Sequence, residues 1–124
     1  MRDQQLWTWH IIAGIVILVF LGLHMAIMHL DTLLGLFTPP GVKPIDWASV
    51  ALRAKQGFFM VSYIVLLAAA LFHGLYGLRN IVFELGPAAG TKKALNVIFT
   101  VGGLALFVFG SWAAWASHAI ANTL

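Results

Sequence analysis

Three apolar stretches, at about residues 9–30, 58–82 and 94–116, constrain this chain more than anything else in its sequence. A hydrocarbon core roughly 30 Å thick takes about 20 helical residues at 1.5 Å each, and every stretch reaches that length. Inside lipid no water is available to backbone N–H and C=O groups, so each stretch must satisfy its own as a helix. The expected fold is therefore all-α: one integral membrane domain over residues 1–124 with three transmembrane helices.

Composition closes off the alternatives. Hydrophobic residues make up 61% of the chain and charged residues 9%, against about a quarter charged in a soluble domain. A soluble enzyme and a disordered chain are excluded. There is no cysteine, so disulfide scaffolds, iron–sulfur ligation and thiolate zinc sites are excluded as well. The net charge of +3 comes from seven scattered Lys and Arg residues that form no run, which argues against a nucleic-acid partner. The first apolar run is too long for the core of a cleavable signal and lacks a small-residue cleavage site after it, so it reads as a retained span.

Between the first two spans, Pro39, Pro40 and Pro44 break the helix, and residues 46–56 are expected to form a short amphipathic piece at the membrane surface. Gly86, Pro87 and Gly90 make a tight turn before the third span. Arg2, Arg79, Lys92 and Lys93 lie on one side of the membrane, and Lys43, Arg53 and Lys55 on the other. That asymmetry predicts a cytoplasmic N-terminus and an outward C-terminus. The five tryptophans read mainly as an aromatic belt near the span ends.

Ionisable groups within a bilayer are costly and usually face a partner, a cavity or a cofactor. His24 and His73 each lie about five residues past the midpoint of their span, and the two spans run in opposite directions. They are thus expected roughly 7 Å either side of the midplane, about 15 Å apart in depth. Trans imidazole nitrogens on one haem iron are only about 4 Å apart. If both histidines are ligands, each needs a trans partner from another subunit. Gly14 and Gly22 before His24, and Gly74 and Gly77 after His73, leave room for a macrocycle or for a close-packed helix. Arg79, six residues beyond His73, is placed to pair with a haem propionate. A membrane histidine can equally serve a neighbouring helix by hydrogen bonding, and these residues alone leave both readings open. His10, His29 and His118 read as polar anchors near the interfaces. A proton relay would need intramembrane carboxylates, and all four acids lie at or beyond span ends.

The run His73-Gly-Leu-Tyr-Gly-Leu-Arg-Asn-Ile-Val-Phe-Glu-Leu-Gly86 resembles the second-helix signature of the membrane anchors of succinate dehydrogenases and fumarate reductases. In that family a haem-ligating His is followed by Gly, Arg and then an acid, the places held here by His73, Gly77, Arg79 and Glu84. Gly14, followed ten residues later by His24-Met25 and then by Leu33-Leu34-Gly35, resembles the first helix of the diheme cytochrome b anchors. The resemblance covers the first two spans and the topology.

It implies half of a haem-binding helix bundle completed by a second membrane anchor subunit. It further implies b haem ligated by His73 on the inner side and His24 on the outer, with Gly14 and Gly77 packing the haem. Arg79 and His10 would neighbour a haem propionate or quinone. The implied partners are a flavoprotein subunit that carries the dicarboxylate chemistry, an iron–sulfur subunit docked on the cytoplasmic face, quinone and membrane lipid. The implied location is the cytoplasmic membrane. Trp7, Trp9, His10, Arg79, Asn80 and Glu84 are the candidates for the docking face, and Asp31, Asp46 and Trp47 for the outer face. The stretch Trp7-Thr8-Trp9-His10-Ile11 keeps the His of many ubiquinone-reducing members but neither their Ser nor their Arg. Glu84-Leu85 stands where the other anchor commonly has Asp-Tyr. The quinone is therefore expected on the companion subunit or near the outer haem. The rival readings are a haem-free anchor of the same complex and a small transporter or structural membrane subunit without a redox role.

Overall fold

The structure, a computed structural model, describes residues 2–35, 41–43 and 45–124, with residues 2 and 31–34 described by backbone only. Pro39, Pro40 and Pro44 and the side chain of Asp31 thus lie outside the described residues. Four helices follow in order: α1 Arg2–Leu34, α2 Trp47–Lys55, α3 Gly57–Glu84 and α4 Ala89–Ala121. Among the described residues there is no strand. Three segments, Asp3–Leu30, Gly57–Glu84 and Ala89–Ala121, are long and apolar enough to cross a membrane. This is a multi-pass membrane protein.

The first and last spans sit in longer helices than their apolar runs. Nothing between Arg2 and Trp9 breaks a helix, and Asp3 in the first turn complements the positive helix end. α3 stops where Gly86 takes a φ of +70°, its N–H donating to the Phe83 carbonyl at 3.1 Å. A residue with a Cβ rarely adopts that conformation, and Pro87 cannot continue the helix. α4 then starts from Ala88 in an extended conformation.

α3 is the central helix. It packs against both α1 and α4, while the backbones of α1 and α4 do not approach one another among the described residues. Three spans joined only through the middle one bury little: Ala13, Phe59, Ala69 and Ala121 are the buried apolar residues described. Side chains such as Leu18, 74% exposed, and Phe109, 64% exposed, face outward. In water so large an apolar surface would drive association, whereas in lipid it is the expected exterior.

Small residues let the backbones approach. On α4, a Cβ at Gly103 would come within 2.8 Å of Leu75 Cδ1, and one at Gly110 would meet Leu67. Two leucines of α3 therefore seat on two glycines of α4.

α2 closes the end where α3 begins and α4 finishes. His118, in the last turn of α4, donates from Nδ1 to the Ala54 carbonyl at 2.7 Å, one of the carbonyls that the end of α2 leaves without an intrahelical partner. His118→Ala should cost about 1 kcal/mol at this contact, read as faster amide hydrogen exchange across residues 50–55 with exchange in α3 unchanged. Equal exchange in both proteins would show that α2 is held by other contacts.

Candidate functional site in the seam of α1 and α3

The seam between α1 and α3 carries three of the five histidines. Near the N-terminal end of α1, His10 and His73 lie face to face, ring centroids 4.1 Å apart and planes within 3°. Each ring occupies the space beside a glycine of the opposite helix. A Cβ at Gly14 would lie 3.1 Å from His73 Cε1, and a Cβ at Gly77 would lie 3.2 Å from His10 Cε1. The arrangement is reciprocal because both helices carry His and Gly four residues apart, His10 with Gly14 and His73 with Gly77. Residues four apart share one helix face, so antiparallel packing brings each His onto the other's Gly.

His73 Nδ1 is 3.0 Å from the His10 carbonyl oxygen. A carbonyl only accepts, so Nδ1 carries the proton and donates it. In the neutral ring this leaves the lone pair on Nε2, which is the form a metal-ligating imidazole takes when its other nitrogen is held by a carbonyl. Trp7 stacks near His10, centroids 5.3 Å apart, and Tyr76 approaches His10 at 5.4 Å. His10 Nδ1 is buried without a hydrogen-bond partner. Axial imidazoles meet an iron with their edges, not their faces. The His10–His73 stack is therefore not a trans ligand pair, and a second ligand to a metal on His73 must come from elsewhere.

His24 sits farther along α1 in the same seam. Its ring meets Tyr63 edge-on, centroids 6.0 Å apart. Going from Gly14 to His24 is ten residues along α1, and going from His73 back to Tyr63 is ten along α3. The antiparallel register is thus kept along the seam, and His24 lies about 15 Å beyond His73. That matches the separation in depth expected from the sequence. His24, Ser62, Tyr63 and Arg53 are the polar residues of an open cleft of about 260 Å³ whose remaining wall is apolar, including Phe20, Leu23, Ile27, Phe59 and Leu66. Ligand pockets usually hold roughly 300–1,000 Å³.

Arg79 reaches toward α4. Its Nε donates to Asn96 Oδ1 on α4, its Nη1 donates to Asn80 Oδ1 at 3.0 Å, and its guanidinium lies over the Phe83 ring, 4.3 Å from the centroid. It also lies 5.8 Å from the Tyr76 ring, whose other aromatic neighbours include His10. It borders a more polar groove of about 580 Å³ between α1, α3 and α4, with Asp3, Tyr76, Asn96 and Thr100 among its lining. Asn80 joins it in that cluster, and Trp7 joins the His10 stack.

Tyr63, Ser62 and Arg53 were not singled out from sequence. Tyr63 had a usable signal, the ten-residue step from His73 that mirrors the step from Gly14 to His24. Arg53 had none, because an arginine in a short polar segment looks solvated, whereas here it is 5% exposed and donates from Nη2 to Met28 Sδ at 3.8 Å. Among the described residues no group of three or more His, Cys, Asp or Glu is placed to hold a metal ion.

Three spans with imidazoles at two levels of one seam describe a small helical membrane protein. The chain is similar to the succinate dehydrogenase hydrophobic membrane anchor subunit of Archaeoglobus fulgidus, 27% identical over 104 residues that cover 84% of this chain and 81% of the relative. That likeness supports the family resembled by the motifs around His24 and His73. No protein-family model and no solved structure matches the chain.

Proposed function

We propose that this chain is a membrane anchor subunit, of the cytochrome b type, in a succinate:quinone oxidoreductase or quinol:fumarate reductase. The observation that carries the reading is the 27% identity along 84% of the chain to a protein named as such an anchor. The chain has no catalytic residue of its own in this reading. A flavoprotein partner performs the dicarboxylate chemistry, an iron–sulfur partner docks on the cytoplasmic face, and a second membrane anchor completes the bundle. The complex sits in the cytoplasmic membrane with the N-terminus of this chain inside, and quinone exchanges electrons with it.

The residues present fit b haem at two levels. His73 would offer Nε2, since its Nδ1–H is engaged by the His10 carbonyl. His24 would offer its ring within the apolar cleft beside Tyr63. A haem held by two imidazoles is six-coordinate and supplies one-electron transfer with its iron closed to oxygen. With about 15 Å between them, His24 and His73 would serve separate haems, each held jointly with the companion anchor.

One observation favours a second reading, a haem-free anchor. The reciprocal seating of His10 on Gly77 and His73 on Gly14 accounts for all four residues as helix packing. The test is purification of the complex under mild detergent, followed by subunit identification, a reduced-minus-oxidised spectrum and a pyridine haemochrome count. Co-purifying flavoprotein and iron–sulfur subunits with two b haems are expected. One haem leaves His73 as its ligand and makes His24 a packing residue. No haem leaves the anchor role alone, and absence of both soluble partners overturns that too.

A further inference from the structure

α2 turns its polar residues toward the protein and its apolar residues outward. Ser49 and Arg53, one turn apart, are 3% and 5% exposed. Trp47 is 74% exposed and Ile45, just before the helix, 71%. Val50 and Leu52 are exposed too, and Lys55 is the charged side chain of the outward face. An amphipathic helix bordered by water has the opposite arrangement.

The depth of α2 is fixed from three directions. Gln56 alone separates it from α3: its N–H donates to the Arg53 carbonyl at 3.0 Å, and its own carbonyl accepts from Phe59 N–H at 3.1 Å. His118 ties Ala54 to the last turn of α4. Arg53 reaches Met28, close to the Leu30 end of the first span. α2 therefore lies at the level where all three spans end, continuous with their outward apolar surface. At that level a bilayer changes from acyl chains to head groups. An exposed tryptophan suits that boundary, and a lysine can lay its stem on the apolar side while its ammonium reaches phosphate.

We propose that α2 is an interfacial helix, its Trp47, Val50 and Leu52 inserted at the head-group boundary of the surrounding bilayer and Lys55 directed at lipid phosphates. The chemistry is that of a surface-lying helix, except that its polar stripe is spent on the protein and not on water. Independence from any haem makes this separable from the functional reading above.

The chain has no cysteine, so an introduced one is its single label, and the signal of the complex without it, labelled in parallel, is subtracted. Trp47→Cys and Leu52→Cys, each carrying a nitroxide, would be measured in the protein purified with its associated subunits and reconstituted into nanodiscs of phosphatidylcholine and phosphatidylglycerol. Power saturation compares collisions with oxygen, which concentrates in lipid, and with a water-soluble nickel chelate. Oxygen access several-fold above nickel access is expected at both positions, at a shallower depth than a Val101→Cys label on the lipid-exposed face of α4. Nickel access dominating at both positions would put the helix in water and overturn the proposal. Low access to both reagents would put a protein partner on this face, and would overturn it equally.

Discussion

Gly14→Leu should separate α1 from α3 and lower the thermal midpoint of the purified protein by more than a substitution on the α4 side of α3. A Cβ alone would lie 3.1 Å from His73 Cε1 and 3.3 Å from His73 Nδ1. That ring has no easy retreat, with His10 against its face and its Nδ1–H committed to the His10 carbonyl. Overpacking of this kind costs about 1–3 kcal/mol, and losing the hydrogen bond adds about 1 kcal/mol. Gly110→Ala is the informative contrast. Its Cβ would overlap Leu67, but it meets the methyl end of a side chain that can change rotamer, so the shift should be smaller. Fluorescence-detected size-exclusion chromatography after graded heating would measure both. An unchanged midpoint for Gly14→Leu would mean that the seam does not hold the two helices together.

In the proposed haem-bearing anchor, His73→Ala should remove one low-spin b haem signal while leaving the spans inserted, and His24→Ala should remove the other. His10→Ala should leave the His73 signal in place. The group that holds His73 Nδ1 is the main-chain carbonyl of residue 10, which that substitution does not delete. Reduced-minus-oxidised spectra of the three variant complexes would decide. Retention of every haem in His73→Ala would sink the ligand assignment and leave His73 as a packing residue of the seam.

The spans were readable from sequence because their signal is length and hydropathy, both local properties. The depth of His24 relative to His73 was readable for the same reason: a constant rise per residue converts position into distance. The His10–His73 stack was not, although both His-xxx-Gly spacings were in view. A depth argument places His10 near the inner end of its span, yet contact depends on the antiparallel register, which is fixed by which glycine receives which ring. The same gap explains Arg79. Its place six residues beyond His73 gives its height, but not that its guanidinium would be held by Asn96 on α4. The short helix α2 was expected, and it runs over Trp47–Lys55. Its inverted orientation was not, because the direction an amphipathic face takes depends on what the rest of the chain places beneath it.

The central place of α3 also orders events during synthesis. A chain is made from its N-terminus, and α1 and α4 each touch α3 but not one another. α1 has no intramolecular span partner until α3 has emerged, and the seam holding His10, His24 and His73 is complete once Glu84 has entered the membrane. α4 is made afterwards and docks on α3 through Gly103 and Gly110. The histidine seam is therefore assembled as a two-helix hairpin, and α4 latches on to a unit whose imidazoles are already aligned.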